Sequence, residues 1–533
     1  MSSILRPLSL ALRFLPSGFC SVGVVLCFLA AAAVAQRAEG ARVVQAAAGG
    51  FHSLYVTEGG ALWAAGNDDF GQLGDGSDAP SQESFVLVAT GVAEVAAGNS
   101  HSLFLKRDGS LWAMGSGFAS VLGDGTGATS SAPVQIADGV VAVAAGNAHS
   151  LFLKNDGSLW AMGMNSYGQL GDGTTTRRDI PVRVADGVAA MAAGNTHSLF
   201  VKTNGTVWAM GGNYNGQLGD GTTTNRLTPV QVQVAASVAA VAAGDAHSLF
   251  LDNGGTLWAV GRNSDGQLGD GTGANKSVPV QVTFGVTDMA AGSFHSLFVK
   301  YDGTLWAAGN NYTGQLGDGA AGSVASPGSA NRRAPVQVAA DVASAAASNG
   351  GLQGHSLFVK TNGTLWAMGF NNRGQLGDGS KGASNSPNSA DRHTPVYVAG
   401  GGGPEITTQP ASQSVGIGGL VTFGVAADGS GSGLTYQWRK DNADILGATG
   451  ASYTIKDAQP SNAGVYRVVV SNANGPTISD PATLTVGGGG GGDGGGGGDG
   501  GGGGGGGGGA PSLFWIGALG AMLLLRRVTG AGR

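Results

Sequence analysis

One pattern is written seven times between residues 43 and 399, and that periodicity constrains the fold more than any other feature of the chain. His-Ser-Leu begins at His52, His101, His149, His197, His247, His295 and His355, at spacings of 49, 48, 48, 50, 48 and 60 residues. A tryptophan follows each histidine eleven positions later, at Trp63, Trp112, Trp160, Trp208, Trp258, Trp306 and Trp366. Most copies finish in Gly-Gln-Leu-Gly-Asp-Gly, as from Gly168 to Gly173 and from Gly216 to Gly221. A fixed period of this length marks an array of one supersecondary unit that buries its faces only against its neighbours. The longer last spacing holds eight extra residues between Gly319 and Pro335 and four before His355. The register survives both, so they are loops.

Each copy reads as four short strands. In the fourth these are Val188–Ala193, His197–Lys202, Thr206–Met210 and Pro229–Val232. Asn204-Gly205 between the middle two is a hairpin signal whose positive φ angles suit both residues. Alternation with period two puts His197, Leu199 and Val201 on one face and Ser198 and Phe200 on the other. Both faces are apolar and both need covering, which stacked radial blades do for one another. Seven four-stranded units therefore predict an all-β, seven-bladed β-propeller, with the small Ala192-Ala193-Gly194 run on the strand nearest the axis.

The motifs Val-Ala-Ala-Gly-x-x-His-Ser-Leu, Asp-Gly-x-Leu-Trp-Ala-x-Gly and Asn-x-x-Gly-Gln-Leu-Gly-Asp-Gly, followed by Pro-Val, resemble the RCC1 (regulator of chromosome condensation) repeat family across residues 43–399. The resemblance implies a seven-bladed propeller, usually closed by a blade that shares strands from both chain ends. It also brings guanine-nucleotide exchange as a functional alternative. The second copy departs from the pattern at Ser116 to Val121, and the first lacks the proline before its last strand.

Seven near-identical histidines in near-identical settings point to structure, such as hydrogen bonding to adjacent backbone, and not to catalysis. The tryptophans read as packing. Each Gly-Asp-Gly offers one carboxylate where calcium wants 6–8 oxygens, so Asp172, Asp220 and their equivalents read as turn residues. No catalytic, cofactor or metal site is assigned, and the chain is not expected to be an enzyme; a carbohydrate-active propeller is the enzymatic alternative. Function is expected where the symmetry breaks, in the similar loops Ala320–Asn331 and Ser380–Asp391. The candidate partner-binding residues are Asn331, Arg332, Arg333, Asp391, Arg392 and His393.

Residues 404–486 carry a different pattern. Short strands are expected at Val421–Val425, Thr435–Arg439, Ser452–Lys456, Tyr466–Ser471 and Ala482–Val486, with Trp438 mid-strand. Asn462-Ala463-Gly464-Val465-Tyr466 resembles the tyrosine corner of immunoglobulin domains, and Val425 and Val468 occupy the places of the inter-sheet disulfide. The segment is similar to cysteine-free bacterial immunoglobulin-like β-sandwich modules.

Both ends carry what read as address labels. Arg6, Arg13, the apolar run Val22–Val34 and Ala33-Val34-Ala35 make residues 1–35 a signal peptide, or else an uncleaved anchor. The only cysteines, Cys20 and Cys27, fall inside it, which leaves a mature chain no disulfide framework. Residues 487–509 hold 21 glycines and two aspartates and form a flexible linker. Residues 510–533 hold a short apolar stretch ending at Arg526-Arg527. With Gly508 and Gly509 before it, this tail resembles the bacterial GlyGly-CTERM kind of sorting tag, or a plain membrane anchor. The expected protein is exported from a bacterium, to the cell surface, the outer membrane or the medium. Its membrane association runs through the tail, and its partner is an unidentified protein or polysaccharide. A net charge of −6 with 12% charged residues argues against nucleic acid.

Overall fold

The computed structural model describes residues 42–487, apart from 78, 323–327, 383–386, 401–403, 429–432, 442 and 473–474. The signal peptide with Cys20 and Cys27, the linker beyond 487 and the tail with Gly508, Gly509, Arg526 and Arg527 lie outside the described residues.

Each of the seven copies folds into one antiparallel four-stranded sheet built from four consecutive strands. Blade 4 runs Val188–Ala193, His197–Lys202, Val207–Gly211 and Arg226–Gln231. Its last strand starts three residues before the expected one, since pairing with the third strand begins at Gly211↔Arg226 and passes an irregularity before Ala209↔Val230. The hairpin at Asn204-Gly205 also differs from expectation. Only Gly205 takes a positive φ, of 80°, and the Asn204 side-chain oxygen accepts the Thr206 N–H at 3.1 Å. Asparagine serves here through its side chain, so its own backbone has no need of the left-handed region.

The core is split into seven wedges, one at each interface between neighbouring blades. Leu199 and Val201 of blade 4 pack with Phe250 of blade 5, while Phe200 packs with Leu151 and Leu153 of blade 3. Fully burying side chains of this size stabilises by roughly 1.5–3 kcal/mol each, and only a neighbour supplies the cover. Alanines of the first strands line an axial cavity of about 240 Å³.

Ring closure departs from the family habit. Blade 1 takes all its strands from the N-terminal side and blade 7 all of its own from Val342–Gly400, so no blade shares strands from both ends. The seam holds by the same contacts as the other interfaces. Tyr55, Trp63 and Phe85 pack with Leu357, Val359 and Leu376, and Val43 donates its N–H to the Gly363 carbonyl at 2.9 Å.

The second domain is a β-sandwich. One sheet joins Gln413–Gly416, Ala482–Gly487, Gly464–Asn472, Thr435–Lys440 and Ala443–Asp444, with Gly475–Ile478 alongside Gly464–Asn472. Val421–Gly424 pairs with Ser452–Ile455, and Glu405–Thr408 with Ala426–Asp428. Trp438, Phe423, Tyr466, Val425 and Val468 share its core. The Tyr466 hydroxyl donates to the Asn462 carbonyl at 2.7 Å, as a tyrosine corner requires.

Candidate functional site

Two rings of hydrogen bonds absorb most of the repeated polar residues. In the first, each repeat histidine reaches the repeat serine of the next blade. His52 meets Ser102, His101 meets Ser150, His149 meets Ser198 and His197 meets Ser248, all at 2.8–2.9 Å. His247 meets Ser296, His295 meets Ser356, and His355 closes the circle on Ser53, each at 2.9 Å. Every one of these hydroxyls gives its own proton to a backbone carbonyl, as Ser198 does to Gln169 and Ser53 to Gln375. The hydroxyl must therefore accept from the ring, which fixes Nε2–H as the neutral tautomer. The expected partner is adjacent backbone; the observed one is a side chain of the next blade, 49–61 residues away in six pairs and 302 at the seam, because the histidine lies on the face its blade shows to its neighbour. Burial lowers the pKa of each histidine from 6.5, to about 3 for His52, His149, His247 and His355 and to about 4 for His101, His197 and His295.

In the second ring, the closing glycine of each Gly-Asp-Gly turn donates its N–H to the outer strand of the next blade. The bonds run Gly76 to Ser131, Gly125 to Asp179, Gly173 to Leu227, Gly221 to Ser277, Gly271 to Arg333, Gly319 to His393 and Gly379 to Glu83, at 2.9–3.1 Å. The Asn-x-x-Gly-Gln-Leu-Gly-Asp-Gly turn locks itself as well. Asn213 Oδ1 accepts the Leu218 N–H at 3.0 Å, its Nδ2 donates to Asp220 at 3.1 Å, and Arg226 Nε donates to Asp220 at 2.7 Å.

That turn accounts for most of the residues proposed from the two inserted loops. Arg332 Nε donates to Asp318 at 2.6 Å and Arg392 Nε to Asp378 at 2.8 Å, where Arg178 holds Asp172 in blade 3. Asn331 accepts the Asn311 N–H at 3.1 Å and donates to Asp265 at 2.9 Å. Asp391 accepts the Asn371 N–H at 3.0 Å, and burial pushes its pKa up to about 7. These four side chains serve the fold. Only Arg333 and His393 present exposed side chains, one on blade 6 and the other on blade 7.

Buried carboxylates elsewhere are likewise engaged. Glu94 accepts the Val143 N–H and Asp288 the Ala345 N–H, each from the first strand of the next blade. They sit on blades 2 and 6 and do not form a pair. No grouping of three or more metal-ligating side chains occurs among the described residues.

Sequence reasoning passed over the two residues between Asn and Gly in each turn, although they vary within an otherwise repeated motif. In each of blades 1 to 4 one of the two is aromatic, while Asp69 of blade 1 accepts from Asn67 at 2.7 Å and Ala119 of blade 2 is buried in a core wedge. Phe70 is 47%, Phe118 74% and Tyr214 69% exposed, and Tyr167 is half-buried. Tyr167 and Tyr214 meet edge to face, with centroids 6.0 Å apart. In blade 2 the departure from the motif has a backbone consequence. Ala119 and Ser120 both hold φ of 59°, a left-handed conformation that costs a non-glycine residue free energy.

Fold and site define a repeat propeller whose invariant polar residues stitch blade to blade, followed by a sandwich domain. The chain carries RCC1-like repeats and an immunoglobulin-like domain. Residues 27–285 match the RCC1-like domain, residues 286–315 and 362–408 match the regulator of chromosome condensation (RCC1) repeat, and residues 403–472 match the immunoglobulin domain. Prp20p from Saccharomyces cerevisiae superposes with a TM-score of 0.56 at 23% identity, over 65% of this chain and 87% of that one. Human WBSCR16 gives 0.54 at 22% identity, over 63% of this chain and 93% of that one. Likeness at these identities concerns the fold. A decoration protein of Escherichia phage T5 is 41% identical over 63 residues, which is 12% of this chain. The match spans 38% of that protein's length.

Proposed function

We propose that this chain is an exported binding protein that holds a protein partner on its propeller, with the immunoglobulin-like domain as a spacing or adhesive module. The observation that carries this reading is how the repeated residues are used. Histidines, serines, asparagines and turn aspartates are bonded within and between blades, so chemistry toward a partner is left to the positions that differ from blade to blade. The RCC1-like architecture supports it. The yeast relative Prp20 has been crystallised bound to Kap60, and its binding to Gsp1p and histones is described. Nucleotide exchange is not proposed, because a likeness of 22–23% identity speaks for the fold alone.

Export rests on the leader and tail. N-terminal sequencing of the mature protein is expected to begin at Gln36, and surface labelling of intact cells is expected to reach it. A cytoplasmic protein that keeps residues 1–35 would overturn this part. Binding is tested by capture from cells and medium with the full chain, beside a variant in which Phe118 and Tyr214 are serine. A partner held equally by both would move the site away from the aromatic turns, toward Arg333 and His393.

A further inference from the structure

The Gly-Asp-Gly turn of blade 1 is locked by different residues from its counterparts, and the difference is chemical. In blades 3 to 7 the lock joins an asparagine, an aspartate and a basic residue, as Asn213, Asp220 and Arg226 do in blade 4, and its charges cancel. Blade 1 holds Asp68, Asp75 and Gln82 in those places, so two carboxylates stand there without a cation.

The loop itself is folded as in blade 4. Asp68 Oδ1 accepts the Leu73 N–H at 2.9 Å, as Asn213 Oδ1 accepts that of Leu218 at 3.0 Å. Asp75 Oδ1 accepts the Ser77 N–H at 2.9 Å, as Asp220 accepts that of Thr222 at 3.0 Å. Gln82 Nε2 donates to Asp75 at 3.0 Å, where Arg226 donates to Asp220. With Oδ1 in the asparagine's position, Oδ2 of Asp68 falls where the asparagine carries its Nδ2. Asn213 Nδ2 donates from there to Asp220 at 3.1 Å, and to the Thr222 carbonyl and hydroxyl at 3.1 and 3.3 Å. The corresponding acceptors in blade 1 are Asp75 and Ser77, and the group that faces them is itself an acceptor. Asp68 is 6% exposed, and its Oδ2 has no hydrogen-bond partner among the described residues. Nearby cations are engaged elsewhere, Arg373 with Asp69 at 3.5 Å and Lys381 with Glu83 at 2.7 Å.

A buried carboxylate oxygen that faces only oxygens is costly unless a positive centre joins them. We propose that the blade 1 turn binds a calcium ion between the carboxylates of Asp68 and Asp75, with the Ser77 carbonyl and water completing its shell. This goes beyond partner binding and does not rest on it. The donors are all oxygen, the set of a hard cation. Calcium takes 6–8 oxygens at 2.3–2.6 Å in loose geometry and accepts backbone carbonyls, whereas magnesium demands a near-ideal octahedron and keeps most of its waters. Bonds of that length leave neighbouring ligand oxygens roughly 3–3.5 Å apart, which is the spacing seen around Asn213 Nδ2. Asp75 and Ser77 are half-buried and Gly76 is exposed, so water reaches the ion. Burial, with the Asp75 carboxylate beside it, pushes the Asp68 carboxyl up to about 6, so a proton shared by the pair competes for the place only in acid.

The test is isothermal titration of calcium chloride into the full chain at about pH 7.5, after treatment with EDTA and dialysis. The wild type is expected to bind one ion with a Kd of about 10⁻⁴–10⁻³ M, and magnesium at least about tenfold more weakly. Asp68→Asn writes into blade 1 the amide that blades 3 to 7 already use, so the variant folds, and it is expected to abolish binding. Gln82→Arg gives Asp75 the cation its counterparts have and is expected to weaken binding at least about tenfold. Asp124→Asn in blade 2, where Gly117 stands in the asparagine's place, is expected to change nothing. Thermal unfolding supplies a second readout. Calcium at about 10 mM should raise the wild-type propeller midpoint by about 2–5 °C and leave that of Asp68→Asn in place. A wild type with neither heat nor a shifted midpoint up to that concentration would overturn the proposal. So would binding that survives Asp68→Asn, which puts the ion elsewhere, such as on Asp493 and Asp499. Partner capture by a chain that binds no calcium would leave the proposed function standing while this inference falls.

Discussion

Acidification should unfold the propeller well before its carboxylates reach their ordinary titration range, because seven histidines are buried in the neutral form. The native pKa values of about 3 to 4 lie below the 6.5 of an exposed histidine. Below pH 6.5 the unfolded chain therefore takes up protons that the folded chain refuses, and stability is lost as the pH falls from about 6.5 toward 4. The geometry explains the refusal. Nε2–H is committed to a serine, and Nδ1, where a second proton must go, has no hydrogen-bond partner in six of the seven. Between pH 7 and 5 the linkage relation gives a little under about 2 kcal/mol per histidine, or on the order of 13 kcal/mol for seven. Glu94, Asp288, Asp68 and Asp391 act in the opposite sense, since burial raises them to about 7, 6, 6 and 7. Protonation of these four on acidification returns about 5 kcal/mol, with Asp68 and Asp391 counted at reduced weight for solvent screening. A net loss of about 8 kcal/mol is comparable to the whole stability of a typical domain. Urea unfolding at pH 7, 6 and 5 by tryptophan fluorescence is the assay. The propeller transition should move steeply to lower urea, while the sandwich, which contains no histidine, supplies an internal reference free of this effect. A propeller midpoint that is flat or rising between pH 7 and 5 would refute the reasoning.

Ser150→Ala should destabilise the propeller by about 1–3 kcal/mol, because it strands the His101 Nε2–H and the Val121 carbonyl together; urea midpoints read it. Arg332→Ala should leave partner capture intact and lower stability by about 1–2 kcal/mol, since the nearly buried Asp318 loses its cation; equal stability with lost capture would restore Arg332 as a binding residue. Trp438→Ala should cost the sandwich about 3–5 kcal/mol while the propeller transition stays in place, measured as two separate unfolding steps.

What the sequence disclosed was whatever a short window contains. Alternation at His197–Lys202 assigned both blade faces correctly, and the repeat count gave seven sheets. The spacing of Trp438 and Tyr466 placed the sandwich core. What it hid was pairing between windows. Nothing near His197 names Ser248, because their contact exists only once blade 4 and blade 5 lie side by side. The hydrogen-bonded site candidates had a visible signal that the insertions masked. Arg178 and Arg226 follow their turn aspartates by six residues, whereas Arg332 and Arg392 follow theirs by fourteen. Removing the eight inserted residues restores the same ion pair, so these arginines stand out in sequence without being free in space.

The closure at blades 7 and 1 carries the wider lesson. Many propellers guard their seam with a strand borrowed from the other end of the chain, and here the borrowed strand is replaced by repetition. Ser53 meets His355, Gly379 reaches Glu83, and the Tyr55 wedge packs like every other interface. Seven equivalent joints leave no joint special, so the ring opens where any one of them fails. Its resistance depends on residues that touch no partner. Binding positions are thereby released from structural duty: Phe118 and Tyr214 can be exchanged without disturbing a wedge, and Ser150 cannot. Stability and recognition then vary on separate sets of residues. Combining Ser150→Ala with Tyr214→Ser, which sits in another blade's turn, should give effects on unfolding that add to within about 0.5 kcal/mol; a larger coupling would mean that the aromatic turns help to hold the ring shut.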